Sequence, residues 1–576
     1  AEKVAAHPRL SNIVHWGADW SRIDAALEAS GADVVGISAM FSCYYTAAYE
    51  VARRARRALP SATIVLGGPH ATSMPEHVLG EPAVDLVVLG EAETRIAGIL
   101  GAIRDGGDLR SLEGLAFRCD GRFCSCTGDD RVGIHVRQQQ TWLMELDTLD
   151  YPAADLLDFA AYGPRTTLIT SRGCPFSCSF CSVHATVGKR FRARSPEKVV
   201  DEIEWYIDTH GVTNFSIEDD NFTFDMDRVL AICREVTRRG LRIGLSLPNG
   251  ITVLKLTPEV VRTMVRAGFS ELFLGLETTD PERLKKIRKG FASLEKANTG
   301  VDAFRDLGVE AQVSLIVGLP GQRPSDVATD VIALLLREMR MSPSAYYPVV
   351  GAPDYTKYLE AGFKTDPALL EGYGFNATSS MSSDEMYWTW IATMSCGMFG
   401  DIVLQARREL LAGRSMDAAD VINAAIAKIK GSSEAWQTGF SMGHRSATTG
   451  PRDGIAAAAD HGFDLDRAIC ICGAQNLSAG NRDTVHAGTC DMFGDYVAMA
   501  AALGTGLPIT ATEILCSVDG TSSTCRFALA LDDTVRETVD TFCAALDAGL
   551  TGGVQEGSAA PSLTNVKMHA SGTRSD

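Results

Sequence analysis

"SRGCPFSCSFCSV", residues 171–183, sets Cys174, Cys178 and Cys181 in a C-x3-C-x2-C pattern just after the apolar run "TTLIT" that begins at 166. Gly173 and Pro175 mark a loop, so the three thiols stand beyond the carboxyl end of a predicted strand. A structural zinc site would close its tetrahedron with a fourth ligand, and His184 is the neighbour able to supply one. A four-iron cluster on three thiolates instead keeps one iron open to chelate a substrate, a chemical reason to stop at three. Three unrelated buried thiols are the remaining reading.

On both sides of this loop the chain alternates strand and helix. Upstream come "NIVHW", "WSRIDAALEAS", "DVVGISAM", "AAYEVARRARRAL", "TIVLGG" and "VDLVVLG", short apolar runs separated by amphipathic stretches. That pattern predicts a doubly wound parallel sheet with Ser38, Gly67, Gly68 and Gly90 at its strand ends, where a ligand crevice lies. "CDGRFCSCTGDDRVG" reads as a hairpin, and residues 145–163 as a connector. Downstream, "TNFSI", "RIGLSL", "ELFLGLE" and "AQVSLIVGL" are predicted strands of a parallel barrel or part of one. Ser195, Pro196 and Glu197 predict a helix start.

Composition restricts the function classes. A chain of 576 residues exceeds what one core organises, so roughly three or four domains are expected. The formal charge of −18, without a Lys/Arg stripe, argues against a nucleic-acid partner. No apolar run long enough to span a bilayer and no signal-peptide layout occur, and fifteen sparse cysteines, some in apolar contexts such as Cys233, suit a reducing compartment. A cytoplasmic protein is expected; the start without Met suggests processing or a fragment.

"CPFSCSFC", with Phe180 before the third cysteine, resembles the signature of the radical S-adenosylmethionine (radical SAM) superfamily. The resemblance runs over roughly 165–360 through "FRARSPEKVVDEIEWYI", "NFSIEDDNFTFD", "LPNGITVLKLTPEVVRTMVRAGFSELFLGLETTDPERLKKIRKG", "VSLIVGLPGQRPSD" and "YYPVVGAPDYTKYLEAG". It implies the cobalamin-dependent branch, with a [4Fe-4S] cluster on Cys174, Cys178 and Cys181. SAM would lie beside Phe180, Asp219, Asp220, Asn249 and Glu277. Thr278 stands where the family commonly has Ser, and Gly351-Ala352-Pro353 replaces the usual Gly-Thr-Pro. Residues 13–100 resemble a cobalamin-binding Rossmann-like domain, implying corrinoid contacts at Ser38, Gly67, Gly68, Gly90 and Glu91. That domain's first strand and helix are expected to be missing, so any axial-histidine loop would lie upstream; His15 and His70 are the nearest other candidates and read better as packing or surface residues.

Near the carboxyl end, "ATEILCSVDGTSSTCRFALAL" faintly resembles a 4-vinyl-reductase-type domain through Glu513, Cys516, Gly520, Cys525 and Phe527. Cys470, Cys472 and Cys490 with His486 are better read as buried thiols than as a metal site. The expected architecture is α/β multidomain: a cobalamin-binding Rossmann-like domain at 1–140, a linker at 141–164 and a partial (βα) radical SAM barrel at 165–345. A helical extension at 346–430, a ligand-binding-like α/β domain at 431–550 and a disordered tail at 551–576 would follow. Tyr387, Trp388 and Trp390, at helical spacing, are expected in the core rather than in a pocket.

The resemblance implies an enzyme that transfers a methyl group to an unactivated carbon, using one SAM for the 5′-deoxyadenosyl radical and a second to remethylate cobalt. The substrate would be a small molecule or natural-product intermediate, and the electron donor a flavodoxin or ferredoxin; no membrane or nucleic-acid partner is expected. A radical cyclase or oxidative rearrangement enzyme without methyl transfer is the alternative. A corrinoid or ligand sensor with an inactive barrel is the alternative from another class.

Overall fold

The computed structural model describes residues 18–551 except 121, 127–132, 158, 160–162, 310, 364–366, 368–374, 415–417, 432–456, 459–461, 467–486 and 516–523. "NIVHW" with His15, and the tail beyond 551, lie outside the described residues.

The first sheet has the order β1 (Val34–Ser38), β2 (Thr63–Gly67), β3 (Leu86–Val88), β4 (Leu115–Arg118), β5 (Ile134–Arg137). β1 to β3 are parallel, and β4 and β5 add on as an antiparallel pair, the hairpin that the Gly/Asp-rich segment predicts. Successive residues of a strand face opposite sides of its sheet, and here both sides are covered. Ile64, Leu66, Val87 and Leu89 enter one core with Tyr49, Ala52 and Ala55 of the helix Tyr45–Ala58. Val65, Leu86, Val88 and Phe117 enter another with Ile99 of the helix Ile96–Arg104. Each such buried aliphatic side chain contributes roughly 1.5–3 kcal/mol.

The second sheet is built on the parallel barrel pattern. β6 (Arg165–Leu168) pairs with β9 (Asn214–Ile217), and the series continues through β10 (Gly244–Thr252), β11 (Phe269–Glu277), β12 (Ala311–Val317) and β13 (Arg340–Ala345), every pair parallel. Between β6 and β9 lies the cysteine loop, closed at its base by the two-residue antiparallel pair β7 (Ser171–Arg172) and β8 (Arg192–Ala193). The helix Pro196–His210 begins as its sequence predicts: Ser195 Oγ accepts the Lys198 N–H, Pro196 is at the first position, and Gly211 closes the end in the left-handed region at φ 66°. β10 extends beyond the predicted "RIGLSL". It runs on to Thr252 across a register irregularity between Leu247 and Ile251, with Gly250 at φ 82° absorbing the distortion.

The helix Ser383–Leu411 carries a capping box from Ser382 and Glu385 and is interrupted at Phe399, whose φ and ψ are −122° and 18°. Tyr387, Trp388 and Trp390 are buried core side chains; the Tyr387 hydroxyl donates to Asp495 Oδ2 at 2.5 Å, and Trp390 Nε1–H to the Pro343 carbonyl at 3.1 Å. A four-stranded antiparallel sheet of β14 (Ala457–Ala458), β15 (Gly462–Asp466), β17 (Thr524–Leu531) and β16 (Ile509–Leu515) follows, with the helices Ala487–Thr505 and Arg536–Thr551. Residues such as Tyr496, Val539 and Phe542 share one core with the barrel, so the carboxyl-terminal helices back directly onto it. No helix among the described residues is long and apolar enough to cross a membrane.

Candidate functional site

The cysteine loop is held by backbone and carboxylate contacts on every side. Gly173, at φ 82°, passes so close to the Arg190 carbonyl that a Cβ would collide with it, so glycine is required there. Asp219, at the carboxyl end of β9 and 2% exposed, accepts the Thr170 N–H at 2.5 Å, the Thr170 hydroxyl at 2.6 Å and the Ser171 hydroxyl at 2.5 Å. Asp220 accepts the Gly173 N–H at 2.8 Å, and burial pushes its carboxyl above the usual range. Asn221 Nδ2 donates to Cys174 Sγ at 3.4 Å. These two aspartates therefore support the loop, a role that the strand-end position alone did not distinguish from ligand contact.

From the other side, Ser179 donates its hydroxyl to Asp354 Oδ2 at 2.8 Å and accepts the Asp354 N–H on its carbonyl at 2.9 Å. Asp354 belongs to the "GAPDY" segment, so this stretch braces the cysteine loop; its partner is 175 positions away and no sequence pattern reveals it. Phe176 stacks on Phe291 with centroids 4.1 Å apart. Glu277 ends β11 at φ 78°, an uncommon conformation for a side-chain-bearing residue, and is 8% exposed. Its carboxylate pairs with Lys289 Nζ at 2.5 Å and accepts the Ser314 hydroxyl at 3.2 Å, and the Lys289 ammonium stands 5.9 Å from the Phe180 ring centroid. Asn249 is exposed on β10. Thr278 is buried and donates to Asp330 Oδ2 at 2.8 Å.

Burial raises all three thiols, Cys178 to about 11, with the Lys289 cation pulling the other way, so metal binding here would displace protons. His184 does not gather with the three thiols into a set of donor atoms within 4.8 Å of one another, and its Nε2–H donates to the Cys174 carbonyl at 2.9 Å. Nor do the three sulfurs converge as around one ion, since they are absent from the groups of donor atoms lying within 4.8 Å of one another among the described residues. A cubane, which spreads its thiolates over different irons, fits this wider trio.

In the first sheet, Ser38 is exposed at the end of β1, followed by Met40 and Phe41, 56% and 59% exposed. Large exposed apolar side chains beside a strand end are the informative exception to burial and fit an apolar ligand face. Gly68 has φ 93°, and a Cβ would stand 2.8 Å from the Ala39 carbonyl, so only glycine lets β1 and β2 end together. His70 is buried, with Nδ1 3.0 Å from the Ser42 hydroxyl and Nε2 unpartnered. Gly90 donates its N–H to Thr72 Oγ1 at 2.9 Å, and a Cβ there would collide with Gln139. Glu91, expected among the corrinoid contacts, has both oxygens engaged elsewhere: Arg192 Nη2 lies at 2.5 Å from one, Arg192 Nη1 at 2.7 Å and Arg172 Nη1 at 3.2 Å from the other. Arg172 also pairs with Glu93 at 2.6 Å. Both arginines belong to the hairpin at the base of the cysteine loop, so this carboxylate clamps the two sheets together.

A second junction reinforces the first. Gly351, at φ 86°, leaves room where a Cβ would stand 2.9 Å from Ser73 Oγ and 3.0 Å from the Ala185 Cβ. Ser73 ends the helix Pro69–Ser73 after Gly67-Gly68, and Ala185 lies in the helix Val183–Thr186 after Cys181. The two glycine- and cysteine-bearing loops thus lead into helices that meet.

A parallel barrel with an open three-thiol loop, joined to a sheet with a glycine-paired strand end, defines a radical SAM barrel coupled to a corrinoid-type domain. Residues 168–331 match the radical SAM superfamily model and residues 11–100 the B12 binding domain model, so the chain carries a radical SAM domain and a B12-binding domain. It is 29% identical over 304 residues to an uncharacterised methyltransferase of Pyrococcus horikoshii, over 52% of this chain and 63% of that protein. It is 29% identical over 302 residues to the anaerobic magnesium-protoporphyrin IX monomethyl ester cyclase of Cereibacter sphaeroides, over 50% of this chain and 47% of that one. The chain thus spans about half to two thirds of the length of these relatives. The radical SAM methyltransferase TsrM of Kitasatospora setae, solved with tryptophan substrate and a SAM analogue bound, superposes with TM-score 0.51 at 20% identity, over 60% of this chain and 69% of that one; this likeness bears on fold.

The cofactor set of these domains is a [4Fe-4S] cluster, SAM and cobalamin. The residues fit: three spread thiols without a fourth ligand for the cluster, and a glycine-lined strand end with exposed apolar side chains for the corrinoid. Glu513 and Phe527 are register partners on β16 and β17, and Cys525 pairs with Leu465. Cys470, Cys472, His486, Cys516 and Gly520 lie outside the described residues, as does the side chain of Cys490.

Proposed function

We propose that the protein is a cobalamin-dependent radical SAM C-methyltransferase acting on an unactivated carbon of a small molecule. The observation that carries this reading is the pair of junctions, Glu91 on Arg192 and Arg172, and Gly351 between Ser73 and Ala185, which fix the strand-end glycines against the base of the cysteine loop. When bound, the cofactors supply an electron that splits SAM into methionine and a 5′-deoxyadenosyl radical, and a methyl group carried on cobalt.

Cys174, Cys178 and Cys181 would ligate the cluster, while Asp219, Asp220 and Asp354 hold the loop that presents them. Phe180 and the Glu277–Lys289 pair form a charged, partly apolar wall beside that loop, suited to a zwitterionic ligand with an aromatic end. Asn249 would extend it from β10. Ser38, Gly67 and Gly68 would contact the corrinoid, with Gly90 and Glu91 acting as the joint behind it. A reduced flavodoxin or ferredoxin would deliver the electron.

The test is product analysis of anaerobically reconstituted protein with cobalamin, SAM and a low-potential reductant. S-adenosylhomocysteine rising in step with 5′-deoxyadenosine supports methyl transfer. 5′-Deoxyadenosine without S-adenosylhomocysteine favours the cyclase-type reading, which the similarity to the Cereibacter sphaeroides protein keeps in play. Binding of both cofactors without SAM cleavage would leave a sensor.

A further inference from the structure

We propose that Cys119, Cys124, Cys126 and His135 form a closed structural site for one zinc ion in the hairpin of the B12-binding sheet. Cys119 follows β4, His135 lies in β5 opposite Phe117, and Cys124 and Cys126 stand on the segment between. Among the described residues these four form a group whose donor atoms all lie within 4.8 Å of one another. Cys119 Sγ and Cys124 Sγ are 3.5 Å apart, and Cys126 Sγ and His135 Nε2 are 3.4 Å apart.

Those separations suit a single tetrahedral ion. Zinc bonds of about 2.3 Å to sulfur and about 2.0–2.1 Å to nitrogen place neighbouring sulfurs about 3.7 Å apart, and sulfur and nitrogen about 3.5 Å apart. Cys119 and Cys124 are both free thiols at their 3.5 Å separation, a disulfide's sulfurs being about 2.05 Å apart. That separation is also tighter than that of thiolates spread over the irons of a cubane. Three soft sulfurs and an imidazole favour zinc over magnesium or calcium, and four protein ligands leave no open position, so the ion would hold structure rather than do chemistry.

The surroundings match the charge such a site carries. Three thiolates around a divalent ion leave one net negative charge, and Arg110 Nη1 donates to Cys126 Sγ at 3.5 Å. Arg110 is itself held by Asp108 Oδ2 at 2.6 Å and Ser125 Oγ at 2.8 Å, an outer layer of the kind that orients metal ligands. Cys124 and Cys126 are buried, 7% and 6% exposed, and the His135 ring packs on Phe117 at 5.1 Å. The Cys119 N–H donates to the Gly133 carbonyl at 3.3 Å and the Leu109 N–H to the Phe123 carbonyl at 2.9 Å, so backbone bonds bring the ligand-bearing segments together.

A tie at this point has a consequence for the other site. The chain leaving β5 carries Gln139, whose Oε1 accepts the Glu91 N–H at 2.8 Å, and Gln140 and Thr141, whose N–H groups bond Glu113 at 3.1 and 3.2 Å. An ion fixing the hairpin would fix the strand that supports Glu91 and hence its clamp on the cysteine loop.

Metal analysis of the full chain, isolated anaerobically and then offered one equivalent of zinc with all thiols reduced, is expected to show one zinc per chain beside the cluster iron. X-ray absorption at the zinc edge should give three sulfur and one nitrogen neighbours. The Cys174→Ala/Cys178→Ala/Cys181→Ala variant should lose iron and keep zinc; Cys124→Ser/Cys126→Ser should lose zinc. Should that last variant fail to fold, cobalt substitution of the Cys174→Ala/Cys178→Ala/Cys181→Ala variant, whose hairpin ligands are intact, still reports on the site through thiolate-to-cobalt charge-transfer absorption. Zinc that disappears with the loop cysteines, no bound zinc or cobalt at one equivalent, or a Cys119–Cys124 disulfide in the anaerobic protein would each overturn the assignment.

Discussion

Replacing Glu91 by Leu tests the clamp on which the joint placement of the two domains depends. The Arg192 side chain is 1% exposed and that of Glu91 8%, so the variant leaves a guanidinium buried without its bidentate partner. Breaking such a pair from one side costs about 3–5 kcal/mol, chiefly from the orphaned charge. Arg192 keeps the Leu143 and Val187 carbonyls, each at 2.9 Å, and the Trp142 ring at 5.2 Å, so the lower end, about 3 kcal/mol, is expected. Adding Arg192→Met removes the charge as well and should restore most of the loss, giving a coupling of about 2 kcal/mol or more in the double-mutant cycle. The assay is urea unfolding followed by cluster absorbance and by Trp fluorescence, because a multidomain chain need not unfold in one step. The cluster signal should be lost at lower urea in Glu91→Leu. Unfolding of Glu91→Leu coincident with the unmutated protein, or strictly additive single effects, would refute the clamp.

Three further outcomes follow from the same geometry. Gly68→Ala forces a Cβ to within 2.8 Å of the Ala39 carbonyl in a left-handed conformation, at a cost of about 1–3 kcal/mol, and should lower cobalamin retained through gel filtration while iron content stays constant. Asp219→Ala leaves the buried Thr170 and Ser171 donors without an acceptor, each worth about 1–3 kcal/mol, and iron per chain after reconstitution should fall sharply; full iron occupancy would argue against its supporting role. His70, held by burial and by His77 at a pKa of about 4 against an ordinary 6.5, refuses a proton that the unfolded chain takes up. Its contribution to stability is therefore whole above about pH 6.5 and lost as pH falls toward 4, by at most about 3 kcal/mol, and His70→Gln should flatten that slope in denaturant midpoints.

Local chemistry wrote much of this molecule into its sequence. The cysteine spacing, the Ser195-Pro196 helix start and the apolar strand runs each depend on neighbours a few positions away, and each stands in the structure where those neighbours dictate. Gly68 was legible as a strand-end glycine, and the structure adds the reason for it there, a φ of 93° beside the Ala39 carbonyl. Other facts needed the folded chain. The partners of Glu91 and Asp219 were not legible: Arg192 is 101 positions from Glu91, and Thr170 and Ser171 are nearly fifty from Asp219. Asp354 gave no local signal, whereas Cys119, Cys124 and Cys126 fall within eight positions and were legible as a cluster; what the sequence did not show is that His135 on the paired strand joins them. An ion pair or ligand set is a property of distance in space, and short-range patterns carry no information about which distant strand ends will meet; the packing of two sheets decided that.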